Sequence, residues 1–399
     1  MSMISVSDAI STILNGVTPI GKGSVSLHQC HGRIAADDVQ AQMTQPPFSA
    51  SAMDGYAVRF ADMHVGKELR VIGEAPAGAP FSGKVSKDQA VRIFTGGVVP
   101  DGADHVVIQE DVKRDGDVIS VHDKQKHPKN IRAAGVDFIS GDTLVRKGET
   151  FHEMHGSILA AANIDVVPVY ARPKVALFSN GDELVEPGDE LKPGQIVNSN
   201  HYALVEMVRR WGGDPVYLGC APDDEQAIRD MFAKGQSADL IIPIGGASVG
   251  DYDFVKTAFR GEGGDTVFEK IAVRPGKPTW FGALGNTPVI GLPGNPASAF
   301  VTAALFVQPL VRRLAGGLEN DAAHFEDATA IAPIDSNGSR ESFLRGIVNA
   351  SAEGYQARSA PNQDSSLLLP FASANVLIRR TVKAPAIEIG DPVEFVWLR

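Results

Sequence analysis

Apolar positions along the chain change their spacing several times, and each change marks a different kind of element. Val6, Ile10, Ile13, Leu14 and Val17 recur at intervals of three and four. That is one face of an α-helix, with Ser5 or Ser7 placed to cap it. VSLHQCHGRIAADDV continues as extended chain. Between 41 and 141, short apolar runs such as AVRIF and HVVIQ are separated by Pro46-Pro47, the Gly/Ala/Pro run at 73–80, Thr95-Gly96-Gly97 and Pro100-Asp101-Gly102. Such punctuation predicts a small all-β domain. A helical spacing returns at 153–162. It is expected to pack with the N-terminal helix, which makes 41–141 an insertion in a helical and linker domain of 1–40 and 142–170.

From 171 to 320 the two periods alternate. KVALFS, PVYLG, DLIIPIGG, VFEKIAV, TWFGAL and PVIGLPG read as strands, and DDEQAIRDMFAKG as a helix. NSNHYALVEMVRRWGG reads as a helix capped by Asn198 or Asn200 and stopped at Gly212-Gly213. The segment 296–314 reads as a long helix with Asn295 as cap, Pro296 in its first position and a kink at Pro309. This alternation predicts a parallel, doubly wound α/β domain. From 325 to 399, SFLRGIV, NVLIRR and PVEFVWL predict a C-terminal β domain, a barrel or sandwich. The expected fold class is therefore multidomain, α/β plus all-β.

In an open α/β sheet, ligands bind beyond the carboxyl ends of the strands. The stretch from Ala238 to Phe254 fits that role. The apolar run Leu240 to Ile244 is followed by Gly245, Gly246, Ser248 and Gly250, a turn that lets backbone approach a ligand, and by Asp251 and Asp253. Glu183 (in SNGDEL) and Asp223 (in GCAPDDE) follow other strands of the same expected sheet. Helix capping accounts for one such acid, but three turns converging on one edge suggest a site. Carboxylates there would suit Mg²⁺, which takes oxygen ligands and shares them with phosphate. Asp54, in SASAMDGYA, also fits an ordinary Asp-Gly turn.

A basic counterpart lies in EKIAVRPGKPTWFG, where Lys270 and Arg274 bracket a strand and Lys277 follows a Pro-Gly turn. Solvated strand-end charges would look the same, yet cations facing an acidic, glycine-lined edge suit an anionic ligand with Mg²⁺. Arg345 and Ser365 could add a second grip on an anion.

Composition narrows the class. The 399 residues imply two to four domains, and 43% hydrophobic with 21% charged residues is ordinary for a globular protein. A net charge of −11 argues against a nucleic-acid surface. Two cysteines cannot build a disulfide framework or a four-sulfur zinc site. With no signal-peptide pattern and no apolar run long enough to span a membrane, a cytoplasmic protein is expected. HEMH at 152–155 lacks the HExxH spacing and reads as helix surface; His28, Cys30 and His31 lack a partner pair for a metal.

Taken together and in order, SASAMDGYAVR, RIFTGGVVPDGADHVV, KVALFSNGDEL, GGASVGDYDFVK, AVRPGKPTWFG and GLPGNPASA resemble the molybdopterin molybdotransferase family, to which the E domain of gephyrin belongs. The resemblance spans nearly the whole chain. It implies an enzyme that inserts molybdate into adenylylated molybdopterin, releases AMP and needs Mg²⁺. It also implies a homodimer whose active site combines the α/β domain of one subunit with the β-rich part of the other. Transient contacts with the adenylyltransferase and with acceptor molybdoenzymes follow from that role.

Carried over by position, the family's functional acids fall on Asp54, Asp137 (in GVDF), Glu183, Asp223 and Asp253, with Glu183, Asp223 and Asp253 toward the metal. Its basic positions fall on Lys270, Arg274, Lys277 and Arg345, with Ser365 beside them. The glycine turn, Ser248 and the Pro293-Gly294-Asn295 helix start would cradle pterin and phosphates. Asn180, Ala247 and Arg274 depart from the residues usual in the family (Thr, Val and Lys); Arg brings a planar fork in place of a point charge. An adenylyltransferase using ATP, or a non-catalytic cofactor scaffold, are the alternatives.

Overall fold

The computed structural model of the chain describes residues 3–122, 127–246, 254–317 and 324–398. Ser248, Gly250, Asp251 and Asp253 lie outside the described residues. The N-terminal helix, Val6–Leu14, begins where Ser5 Oγ accepts from the amide of Asp8 at 3.1 Å. Such a cap contributes about 1 kcal/mol. Its buried face, Val6, Ala9 and Ile13, joins Leu310, Val311 and Leu314 in the core of the α/β region. The expected packing against the helix Glu153–Ala161 is not what forms: Leu159 of that helix sits in a separate core with Val145, Phe151 and Val167. The apolar stripe is satisfied by the larger hydrophobic surface, 300 residues away in sequence.

Chain entering and leaving the inserted region is held in two antiparallel pairs, Lys22–Ser26 with Val166–Tyr170 and Val39–Gln40 with Thr143–Val145. Between them lies a six-stranded sheet in which Gly55–Val58 is flanked by His105–Ile108 and Gln89–Ile93. His152 caps the helix after it: its Nδ1 accepts from the Met154 amide at 3.3 Å, and His155 answers from the third helical position.

The α/β region runs β1 (Lys174–Asn180), α1 (Asn200–Arg210), β2 (Asp214–Ala221), α2 (Glu225–Gly235), β3 (Leu240–Ile244), α3 (Phe254–Gly261), β4 (Gly264–Phe268), β5 (Trp280–Leu284), β6 (Thr287–Gly291) and α4 (Pro296–Thr302). The sheet order is β2-β1-β3-β6-β5-β4. Alternation in β1 sends Val175 and Leu177 to one buried face and Ala176 and Phe178 to the other. Both faces are covered, as in a doubly wound sheet. The sheet is mixed, however. β1, β2, β3 and β6 are parallel, while β5 runs antiparallel to both its neighbours, β6 and β4. A two-residue turn at Gly285-Asn286 joins β5 to β6, too short for the crossover a parallel pair needs.

Two further expectations change. The run VFEKIAV is not one strand: β4 stops at Phe268, and Val273–Arg274 leaves to pair in parallel with Glu341 and Ser342. Pro275, which cannot donate to a ladder, ends that piece. The long last helix is interrupted by a π turn at Ala303–Val307 immediately before Gln308–Leu314. The wider turn removes the carbonyl that Pro309 would otherwise oppose.

In the C-terminal region the strands Glu341–Ser351, Gly354–Ser359, Glu326–Ala330, Pro392–Trp397 and Val376–Arg380 close into a five-stranded barrel, since the first also pairs with the last. Closure leaves no open edge in this ring. Phe395, Val376 and Ile378 fill its interior.

Candidate functional site: two cavities at the strand ends

Beyond the carboxyl ends of β1, β3 and β6 lies a cavity of about 400 Å³. Its lining combines apolar Leu184, Ile196, Val197 and Pro293 with polar Asn180, Asn198 and Asn200 and the backbone of Gly245 and Gly246. The strand-end turns require glycine. Gly181 has φ +146, and a Cβ there would stand 2.5 Å from Glu183 Oε2, so the carboxylate folds back over the turn. Gly246 has φ +60, and a Cβ would stand 2.3 Å from Val255 Cγ2 and 2.7 Å from Asn180 Oδ1. At Gly246 a larger side chain is opposed by both conformation and space, and at Gly181 by conformation, since the Glu183 carboxylate could move aside.

Adjacent acids divide two tasks after β2. Asp224 caps α2 by accepting from the Ala227 amide at 2.9 Å. That leaves Asp223 facing the site, where Oδ1 accepts from Asn180 Nδ2 at 2.7 Å and its own amide donates to Asp182 Oδ1. Asn198 does not cap α1, because its side chain is consumed in the cavity lining. Its Oδ1 accepts from Ser179 Oγ at 3.0 Å, and its Nδ2 donates to Glu186 and to Tyr217 Oη. Ser199 takes the cap position without a side-chain bond, and Asn200 Nδ2 donates across the cavity mouth to the Gly294 carbonyl at 2.6 Å.

The field at this edge is negative. The Cys220 thiol is pushed up to about 11, first by burial and then by Glu186, Glu183, Asp223 and Asp182. It is therefore a neutral thiol at ordinary pH. Among the described residues no three His, Cys, Asp or Glu side chains are arranged to hold a metal ion. Glu183 and Asp223 offer hard oxygen donors only, and that chemistry fits Mg²⁺, which keeps several waters and binds through one or two carboxylates plus phosphate.

A second cavity, about 670 Å³, adjoins the first at Pro278 and lies between the α/β region and the barrel. Arg274, Lys277, Arg340 and Arg380 line it, with Ser298, Asn337 and Ser365 between them. Arg340 Nη1 donates to the Val273 carbonyl at 3.2 Å, which ties the barrel to the basic loop. Two carboxylates, Asp335 and Asp364, line this groove too. The pKa of Asp364 is held down by bonds from Ser366, side chain first and then amide. Ser365 links the two cavities: its Oγ accepts from Asn295 Nδ2 at 3.1 Å and its carbonyl from the Ala297 amide at 3.0 Å.

The sequence-derived set therefore divides. Glu183, Gly245, Gly246, Pro293, Gly294 and Asn295 line the first cavity, with Asp223 bonded to it through Asn180. Arg274, Lys277 and Ser365 line the second. Lys270 lines neither; its carbonyl accepts from the Ile4 amide at the chain's start.

Arg345 does not reach the groove as a free cation. It is 1% exposed, its Nη2 donates to the carbonyls of Asn362 and Asp364, and its guanidinium lies over the Phe371 ring. It holds the 362–365 loop from beneath, because burial leaves it only backbone carbonyls as partners.

Asp54 and Asp137 lie on the inserted region. Asp54 Oδ1 accepts from the Thr95 amide at 2.8 Å and hydroxyl at 2.9 Å, which holds its pKa down. Asp137 is exposed beside the Gln45 carbonyl. Ser248, Gly250 and Asp253 fall in the undescribed segment. Sequence reading missed Arg340 and Arg380, which carry no motif, and took either Asn198 or Asn200 as a cap.

Three family profiles match the chain: "MoeA N-terminal region (domain I and II)" over residues 4–163, "Probable molybdopterin binding domain" over 176–313, and "MoeA C-terminal region (domain IV)" over 327–398. A Haemophilus influenzae protein named molybdopterin molybdenumtransferase is 35% identical, covering 98% of each chain. A Nostoc protein of the same name is also 35% identical, covering 94% of this chain and 89% of its own. The crystal structure of a molybdopterin biosynthesis protein from Pyrococcus horikoshii superposes with TM-score 0.84 at 31% identity over the full length of both chains.

Proposed function

The chain belongs to the molybdopterin molybdenumtransferase family, and from that membership we propose that it transfers molybdenum from molybdate to adenylylated molybdopterin, with release of AMP. The observation that carries this reading is the pairing of two unlike cavities at one strand edge, joined at Pro278 and Ser365. A glycine-lined, acid-flanked pocket suits the pterin and its phosphates. A groove lined by Arg274, Lys277 and Arg340 suits a doubly charged oxyanion.

The chemistry is mostly electrostatic. Arg274 and Lys277 would hold molybdate, and Ser365 would offer it a hydroxyl. Pro275 and Pro278 stiffen that loop, which lowers the entropy lost on binding. Arg345 would act as a positioning residue by fixing the 362–365 loop. Gly245 and Gly246 would let backbone approach the phosphates. Glu183 and Asp223 would hold Mg²⁺, which when bound supplies Lewis-acid polarisation of phosphate oxygens.

The reading includes a homodimer. Its support is that Asp54 and Asp137 sit on the inserted region, and none of their described contacts ties them to the strand-end cavities of their own chain. A second copy could supply them. A cytoplasmic location, and contacts with the adenylate donor and with acceptor molybdoenzymes, belong to the same reading.

The test is single-turnover release of AMP from adenylylated molybdopterin by purified protein. Release that requires both molybdate and Mg²⁺ is the expected result. Consumption of ATP with free molybdopterin, or no release, would overturn it.

A further inference from the structure

Two residues that line the first cavity carry buried carbonyl-type oxygens with no hydrogen-bond partner among the described residues: Asn180 Oδ1 and Asn200 Oδ1. Their identity as oxygens follows from the partners of the other amide atom. Asn180 Nδ2 meets a carboxylate oxygen of Asp223 at 2.7 Å, and Asn200 Nδ2 meets the Gly294 carbonyl at 2.6 Å. Both partners are acceptors in the ionised and carbonyl forms, so neither amide can be turned over without setting oxygen against oxygen. Asn180 is also only 6% exposed and lies close to the Gly245-Gly246 turn. Unmet acceptors of this kind are costly in a folded protein and mark a place where something donates.

We infer that Asn180 and Asn200 form an acceptor pair that reads the N–H edge of a planar heterocycle, and so determine specificity within the first cavity. This inference rests on the function proposed above. The cavity gives a ring what it needs: apolar walls from Leu184, Ile196, Val197 and Pro293 for its faces, and the two oxygens for an edge. Neighbouring networks do not compete. Ser179 and Asn198 line the cavity too, but they and Tyr217 already satisfy one another. The substrate of the proposed reaction carries two rings with exocyclic amines, a pterin and an adenine. The shared chemistry is an amine donor edge, and the arms of the experiment separate the two sources.

The experiment is equilibrium binding on the full chain with two analogue pairs. Pterin is compared with lumazine, which has a carbonyl oxygen in place of the exocyclic amine. AMP is compared with IMP, which makes the same exchange on the purine. The expected result is at least about tenfold preference for the amine-bearing member of one pair, the preferred pair identifying the ring. That preference should fall to within about twofold in Asn200→Leu and in Asn180→Thr, while thermal unfolding shows both variants folded.

Binding of both members of each pair with equal affinity would overturn the acceptor pair and leave the transferase reading intact. Preference that survives both substitutions would overturn it too, as would substitutions that alter only the Mg²⁺ dependence, since the oxygens would then be metal ligands. Failure to bind any of the four compounds would sink both this inference and the function it rests on.

Discussion

The two cavities meet at Pro278, yet they are built by different means. The first is assembled from strand-end turns of one sheet. Each of its glycines and acids follows a strand of the sheet by one to three residues, and the geometry is local: Gly181 makes room for Glu183, and Gly246 for Val255. The second is assembled from parts far apart in sequence. Arg274 and Lys277 come from the loop before β5, Arg340 and Arg380 from the barrel, and Ser365 from a loop that Arg345 supports from beneath. One site tolerates almost no backbone change, whereas the other depends on how two regions dock. The lesson is that backbone shape confers the phosphate-type pocket, and side-chain reach confers the oxyanion groove.

Substitutions should separate the two. The largest loss of turnover is expected for Gly246→Ala, where the new Cβ meets Val255 and Asn180 in a left-handed turn. Activity should fall more than about a thousandfold, and stability by roughly 1–3 kcal/mol from the strained turn alone. Asp223→Asn keeps the acceptor for Asn180 but removes the charge. Turnover should drop about a hundredfold with the melting temperature nearly unchanged; a variant as active as the parent would show that the carboxylate is not used.

On the other side of Pro278, Arg274→Ala should raise the molybdate concentration needed for half-maximal rate roughly tenfold. Affinity for AMP should not move. If both affinities fell together, the cavities would not be separable. Alkylation of Cys220 should change turnover least. With its pKa near 11, the native thiol should react with iodoacetamide at pH 8 on the order of a hundred times more slowly than in the unfolded chain. Between about pH 9 and 11 the unfolded thiol has lost its proton and the folded one keeps it, so this group's contribution weakens as pH rises through that window.

How much of this was legible in the sequence differs between the cavities for the same reason. Strand-then-glycine-then-acid patterns are local, so Gly245, Gly246, Glu183 and Asp223 could be named from periodicity and turn chemistry. Arg340 and Arg380 could not, because the Arg340–Val273 bond spans 67 residues and barrel closure pairs strands as distant as Ser342 and Arg380. Arg345 was readable as a charge but not as a buried one. Its burial depends on Phe371 and the 362–365 loop folding over it. The antiparallel edge of the sheet was hidden in Gly285-Asn286, a hairpin turn inside an otherwise alternating pattern. Asn198 and Asn200 lay at a helix start, where capping is the ordinary use of Asn. The polar lining recruited both instead.

The most direct test of the account is a crystal structure of the protein soaked with AMP and tungstate, with the metal located by anomalous scattering. The account predicts nucleotide in the cavity lined by Asn180 and Gly246, and tungstate against Arg274, Lys277 and Ser365, the two on either side of Pro278. Tungstate bound among Glu183 and Asp223, or nucleotide lying in the arginine-lined groove, would contradict it.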